Sequence, residues 1–296
     1  MASNRKKILI TGASGLIGRE LCEQLSLHND VTAVDNNQRF RDYVPKNCTY
    51  VRSNLIEYLE QTTNAFDVIY HMAATNGTTY FYSQPNDVLC NNVTLDLGMF
   101  KFAESNPKCK LVYASSSEVM AGTTVFPTPE LTDIIVSNIH NARWSYMLPK
   151  VLAENYLFNS DIDFLIIRFF NVFSEHTGVG HFVKDIADKI RCNNFELIGA
   201  DETRSFCYVS DAVDAVINIS QATRQVVNVG SDEELKIIDA ANIIADSLGK
   251  HNICWTVKPG LLGSAKNRRP DITELKRLLP TFSPRPFNEV LSSIKV

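Results

Sequence analysis

The stretch TGASGLIG at residues 11–18 constrains this chain more than any other, because of what stands on either side of it. Before it runs KKILIT (6–11), apolar and short enough for a buried strand. After it runs LIGRELCEQLSL (16–27), with Leu16, Ile17, Leu21 and Leu25 spaced along one face of a helix. Gly12, Gly15 and Gly18 therefore fall in a strand-to-helix turn. Glycine serves there where the backbone turns tightly, where it must approach a pyrophosphate, and where helix packs on strand. The helix start adds N–H donors and positive potential. Asp35 closes the next strand, VTAVD (31–35), where its carboxylate can accept from adenosine ribose hydroxyls and would repel a 2′-phosphate. The pattern predicts a dinucleotide site and favours NAD over NADP, with Arg39 and Arg41 downstream as the opposing sign.

The rhythm continues. CTYVR (48–52), FDVIYHMA (66–73), CKLVYASS (109–116) and DFLIIRFFNVF (163–173) are predicted strands, with a helix over Val88 to Glu104. Short apolar strands alternating with helices imply βαβ units and a parallel sheet buried on both faces. The fold class expected is α/β, a Rossmann-type doubly wound parallel sheet with a smaller C-terminal substrate-binding portion. Residues 1–173 would form the NAD-binding part, receiving later segments from about 205–230, and 174–296 would supply mainly the smaller part. In the latter, a helix is expected at 181–192, strands at FELIG (195–199), SFCYV (205–209) and QVVNV (225–229), and a helix after Ser210.

A formal charge of −4 offers no match to a phosphate backbone, so nucleic acid is not an expected partner. Seven scattered cysteines without a C-x-x-C pair indicate neither a disulfide framework nor a metal site, and are read as reduced thiols. No stretch has the roughly 18 apolar residues of a membrane span, and the N-terminus lacks a secretory apolar region. A cytoplasmic location is expected.

Tyr146 and Lys150 in WSYMLPKVLAE are four apart and share a face on a helix. A free tyrosine is barely ionised at neutral pH. A nearby cation lowers its pKa and makes it a usable general base. Pro149 lies within the motif and predicts that this is the first turn of the helix. The hydroxyls of SSSEV (115–119) follow an apolar strand, at the edge where doubly wound sheets bind ligands. One active site is therefore predicted from both motifs.

Together these residues resemble the extended short-chain dehydrogenase/reductases called NAD-dependent nucleotide-sugar epimerases/dehydratases. HMAA (71–74) is similar to the family's H-x-A-A segment, and Asn92 to its asparagine in the following helix. RFFNVF (168–173), RSFCYVSD (204–211), NVGS (228–231) and RRPDI (268–272) match further segments in order. The resemblance implies a cofactor site of Gly12, Ser14, Gly15, Leu16, Ile17, Gly18, Asp35, Asn54, Leu55, Met72, Ala73, Ala74, Asn92, Ser115, Tyr146, Lys150 and Phe169. It implies Ser117, Asn171, Arg204, Asn228, Arg268 and Arg269 at a nucleotide-diphosphate sugar, most commonly a UDP-sugar, with Arg204 and either Arg268 or Arg269 on the diphosphate. Met120 departs from the family's S-S-x-x-V-Y-G by standing at the tyrosine. His71 is read as packed beside the cofactor.

The chemistry implied is transient oxidation of the sugar at C4, with Tyr146 as base and Ser116 hydrogen-bonded to the same oxygen. Glu118 falls where dehydratases and decarboxylases carry an acid, and it favours a 4,6-dehydration in which it moves the C5 proton. A 4-epimerase and a UDP-glucuronate-type decarboxylase remain alternatives, and no substrate-carboxylate clamp is evident in the sequence. Outside this class stands a silent dinucleotide sensor or scaffold, against which Ser116, Tyr146 and Lys150 argue together. An NADP-dependent carbonyl reductase is disfavoured by Asp35. Family members commonly pair through two long helices, here about 88–105 and 146–159, so a homodimer is expected.

Overall fold

The computed structural model describes residues 5–38, 43–178, 180–261 and 263–294; Arg39 and Arg41 lie outside them. Seven parallel strands form the centre: β1 Lys7–Thr11, β2 Asp30–Asp35, β3 Thr49–Arg52, β4 Val68–His71, β5 Lys110–Ser116, β6 Asp163–Phe169 and, from further along the chain, Gln225–Val229. Between β6 and that last strand come four short ones, β7 Val172–Phe173, β8 Glu196–Ile198, β9 Thr203–Arg204 and β10 Cys207–Tyr208, which make Gln225–Val229 β11. The spatial order is β11-β6-β5-β4-β1-β2-β3. The chain therefore turns back at the boundary between β1 and β4, which is where a doubly wound sheet opens a crevice beyond its strand ends.

The strands are continuous apolar runs because helices cover both faces. On one side pack α1 Leu16–Leu25 and, from later in the chain, Val209–Ile219, sharing a core with Ile8, Ile10, Val112 and Leu165. On the other pack α2 Leu55–Gln61, α4 Pro85–Glu104 and α5 Trp144–Phe158, around Leu9, Ile69, Leu111 and Phe164. A short helix, α3 Thr78–Ser83, precedes α4. The remaining helices are α6 Phe182–Arg191, α7 (the Val209–Ile219 helix), α8 Ile237–Ser247, α9 Thr273–Leu278 and α10 Phe287–Ser293. Three of these, α6, α8 and α10, enclose a separate core around Phe206, Leu197 and Phe287. Small pairings involving β12 Leu235–Lys236, β13 Thr256–Lys258 and β14 Asn267–Arg268 sit beside that core.

Three expected elements are corrected. The run 163–173 is not one strand: it breaks at Asn171, whose φ of 38° is left-handed, and β7 pairs instead with β10. The expected strand 205–209 shortens to β10, because Val209 already begins α7; β9 lies just before the run and joins a different sheet. Pro149 is not in the first turn of its helix; α5 begins at Trp144, so the proline lies within the helix body. Among the described residues no helix is long and apolar enough to cross a membrane.

Candidate active site

A cavity of about 680 Å³ runs along the C-terminal ends of the central strands. Its floor begins at the glycine turn. Gly12 has a φ of +67°, and a Cβ there would stand 2.7 Å from the Ala73 amide nitrogen; a Cβ on Gly18 would stand 2.1 Å from the Gly12 carbonyl oxygen. Both contacts are impossible for any other residue, so β1, α1 and the segment after β4 close together only with glycine at these positions. Asp35, at the end of β2, accepts from the Ser14 amide at 3.1 Å and the Asn37 amide at 2.7 Å. Its carboxylate is thus fixed beside the glycine turn. A bare-backbone cradle with an anchored acid beside it fits a dinucleotide's pyrophosphate and ribose.

The cavity walls include Gly12, Ser14, Gly15, Leu16, Ile17, Gly18, Asp35, Asn54, Leu55, Met72, Ala73, Ala74, Ser115, Ser116, Ser117, Glu118, Tyr146, Phe169, Asn171, Arg204 and Arg268. Four expected site residues do not line it. Asn92 instead binds the backbone of Thr75 in both directions, at 2.7 and 3.1 Å, and so holds the cavity wall against α4. Asn228 is fully buried and spends its amide on the carbonyl oxygens of Thr128 and Asp271, which corrects its assignment to the substrate. Arg269 turns toward Glu234 and lies over the Phe126 ring, so of the two adjacent arginines only Arg268 faces the cavity. Lys150 is the fourth: it sits behind the wall, its Nζ donating to the Tyr113 hydroxyl at 2.8 Å.

The catalytic end is built where β5 meets α5. Ser116 ends β5, and its Oγ accepts from the Glu118 amide at 3.2 Å, starting the short 3₁₀ turn Ser117–Met120. Met120 does not reach the cavity; it packs with Val119 and Phe170 and accepts from Arg168 through its sulfur. Tyr146, in the first turn of α5, is almost buried and stacks on Phe81 with ring centroids 4.8 Å apart. Stacking fixes the ring plane and therefore the direction of its hydroxyl.

Glu118 is no solvated turn residue. Arg143, which caps α5, grips it bidentately, Nε to one oxygen at 2.8 Å and an Nη to the other at 2.6 Å. Arg268 on β14 donates to the same carboxylate at 2.5 Å. Burial alone would raise the Glu118 pKa, but Arg268 and Arg143 outweigh it and hold the carboxyl well below the usual carboxylate range. The cluster carries two guanidiniums against one carboxylate. Arg268 Nε and one of its Nη atoms are buried without a protein partner. Arg204, across the strand pairing from Arg268, donates to Glu202 at 2.7 Å and to Ser264 at 2.8 Å. Burial, and then the charge of Arg268, bring the Arg204 guanidinium down to about 10.

Sequence reasoning missed Arg143 and Glu202. Arg143 stands three residues before Tyr146, so a cation at the mouth of the tyrosine's helix was the available sign; nothing in the sequence tied it to Glu118.

The model of the NAD dependent epimerase/dehydratase family matches residues 8–230. The chain belongs to that family. It is therefore an enzyme of the epimerase/dehydratase class, with NAD as its cofactor. It is 28% identical to the UDP-N-acetyl-alpha-D-glucosaminuronate decarboxylase of Bacillus cytotoxicus, over 93% of this chain and 92% of that protein. The UDP-glucose 4-epimerase of Thermotoga maritima, solved with UDP-glucose, shares the fold with a TM-score of 0.84 at 20% identity, covering 97% of this chain and 96% of that one. The NDP-hexosamine 5,6-dehydratase of tunicamycin biosynthesis superposes with a TM-score of 0.84 at 21% identity, covering 97% and 95%.

Proposed function

We propose that the chain decarboxylates a UDP-linked uronic acid through a transient 4-ketone. The observation that carries this reading is the Arg143–Glu118–Arg268 cluster on the cavity wall, with one positive charge in excess and unpartnered donors on Arg268. A second carboxylate, that of the sugar, balances it. Bidentate guanidinium geometry suits such an anion. The similarity to a glucosaminuronate decarboxylase supports the same choice.

When bound, NAD supplies the hydride acceptor for C4 and returns the hydride at the end. Tyr146 accepts the C4 hydroxyl proton, and Ser116 hydrogen-bonds the same oxygen. In the resulting 4-ketone the C5–carboxylate bond lies β to the carbonyl. That bond breaks, carbon dioxide leaves, and the electron pair passes to the C4 oxygen as an enolate held by Tyr146 and Ser116. A proton taken up from water at C5 regenerates the ketone, and Tyr146 gives its proton back to the C4 oxygen as the hydride returns. Arg268 and Arg143 orient the departing carboxylate, while Arg204 takes the diphosphate in exchange for Glu202.

Glu118 as the C5 base of a 4,6-dehydration is less well supported. A carboxylate held by two guanidiniums is a weak proton acceptor, so Glu118 serves better as an anchor for them. Incubation with UDP-glucuronate, UDP-N-acetylglucosaminuronate and neutral UDP-sugars, read by product mass, tests the reading. Loss of one carbon dioxide from the uronates is expected; loss of one water from a neutral sugar, or an unchanged mass with an altered sugar, would replace it. Tyr146→Phe should lower turnover by about 100-fold or more while NAD stays bound, checked by the reduced-cofactor absorbance in a single turnover. We expect a homodimer through α4 and α5, where Leu152 and Phe158 are exposed; sedimentation tests it.

A further inference from the structure

Behind the cavity wall lies a second buried cluster, which holds Lys150 but no other residue given a part in the reaction above. Lys150 Nζ donates to the Tyr113 hydroxyl at 2.8 Å, and that hydroxyl donates to Asp96 Oδ2 at 2.7 Å. Asp96 Oδ1 stands 3.7 Å from Nζ and 3.2 Å from His71 Nε2. His71 Nδ1 in turn meets the Thr11 hydroxyl at 2.8 Å, and that oxygen accepts from the Ala73 amide on the cavity wall. Asp96, Tyr113, Lys150, His71 and Thr11 are all essentially inaccessible to solvent. The hydrogen bonds are mutually consistent with a neutral His71 donating from Nε2 to the Asp96 carboxylate, and with Thr11 donating to Nδ1.

A buried ammonium is costly unless a counter-charge stands beside it. The other carboxylate near Lys150 is Glu154 on the same helix. It is taken by Arg168, at 2.6 and 2.9 Å, and by the Ser115 hydroxyl. Asp96 is left as the balancing charge. It reaches Lys150 from α4, directly and through Tyr113 on β5, so the position of Nζ is set by two elements other than its own helix.

We propose that Asp96, acting through Tyr113, is the positioning residue that keeps Lys150 charged and fixed behind Tyr146. The inference rests on the reading of Tyr146 as base and names what maintains the cation beside it. Without Asp96 the ammonium would be unbalanced, and it would shed its proton as the pH rises.

The test is the pH dependence of stability, which needs neither cofactor nor sugar. Burial lowers the Lys150 pKa from its ordinary 10.5, with Asp96 opposing the shift. In Asp96→Asn that opposition is gone and the folded value falls further. Between the folded and unfolded values the unfolded chain binds the extra proton, so the variant's stability rises with pH. The Tm deficit of Asp96→Asn is therefore greatest near pH 7 and should shrink by about half toward pH 9.5. The other members of the cluster do not mimic this. His71 is held below its ordinary range by burial and stays neutral over the window, and burial, the larger cause of the upward shift of Tyr113, persists in the variant. Glu154 remains paired with Arg168 in the variant.

The double variant Asp96→Asn/Lys150→Met removes the ammonium as well, and its Tm should lose that pH dependence. A deficit that is flat with pH, or that persists unchanged in the double variant, would overturn the proposal. If Asp96→Asn does not fold, the double variant should fold, because the unbalanced charge is gone; equal failure of both would show that Asp96 acts by packing alone. With substrate, the alkaline limb of the Asp96→Asn rate profile should move down by at least about one pH unit, with KM unchanged. Failure of the proposed reaction would leave the stability arm intact.

Discussion

Glu118 and Asp96 are both buried carboxylates touching α5, and they are partnered in opposite ways. Glu118 meets two guanidiniums at the cavity wall and is outnumbered. Asp96 meets one ammonium, one tyrosine and one neutral histidine, and that cluster closes on itself. The first arrangement has capacity left for an anion from outside. The second has none, which suits a device that must hold a charge still.

The comparison breaks most readily at Glu118→Gln. Removing the anion leaves two facing guanidiniums in a buried site, and stability should fall by about 3 kcal/mol or more in denaturant unfolding. The depressed Glu118 pKa means that its stabilisation is fully present above the unfolded value of 4.5 and is lost as the pH falls below it. The gap between native protein and Glu118→Gln should accordingly narrow in acid, and a gap constant with pH would count against the ion cluster as its source.

Arg268→Met comes next. Glu118 keeps Arg143, so the fold should survive, but the donors offered to the sugar carboxylate go. A fall in turnover of about 100-fold is expected with uronate substrates; near-native rates would detach Arg268 from the reaction. For Arg204→Ala we expect about a tenfold rise in KM for the nucleotide sugar with kcat nearly kept, as uniform binding is lost. The smallest effect belongs to Arg269→Ala. Its guanidinium lies by Glu234 outside the cavity, so KM should stay within about twofold.

What was legible in the sequence was local. The glycine turn, Asp35 and the serines at the end of β5 each lie within a few residues of the strand end that places them, so periodicity and glycine spacing sufficed. The ion cluster was not legible, because Glu118 meets partners 25 and 150 residues away and only the fold joins them. The Asp96 cluster is likewise spread over β1, β4, α4, β5 and α5. The break of the 163–173 run had a local cause that periodicity does not register, a single asparagine in the left-handed region. The same limit explains Arg268 and Arg269, which are adjacent in sequence yet point to different surroundings.

The strand order carries a consequence for the nascent chain. β6, with the apolar sequence DFLIIRF, pairs on one side with β5, already synthesised, and on the other with β11 at Gln225–Val229. Until residue 229 has left the ribosome, β6 presents a bare, apolar edge of the kind that recruits other strands. The segment that supplies β7 to β10 emerges during this interval, so its helices and loops must form without closing off the edge that β11 will occupy. Slowing translation between residues 170 and 225 should lengthen that exposure and raise the burden on chaperones that shield unpaired strands.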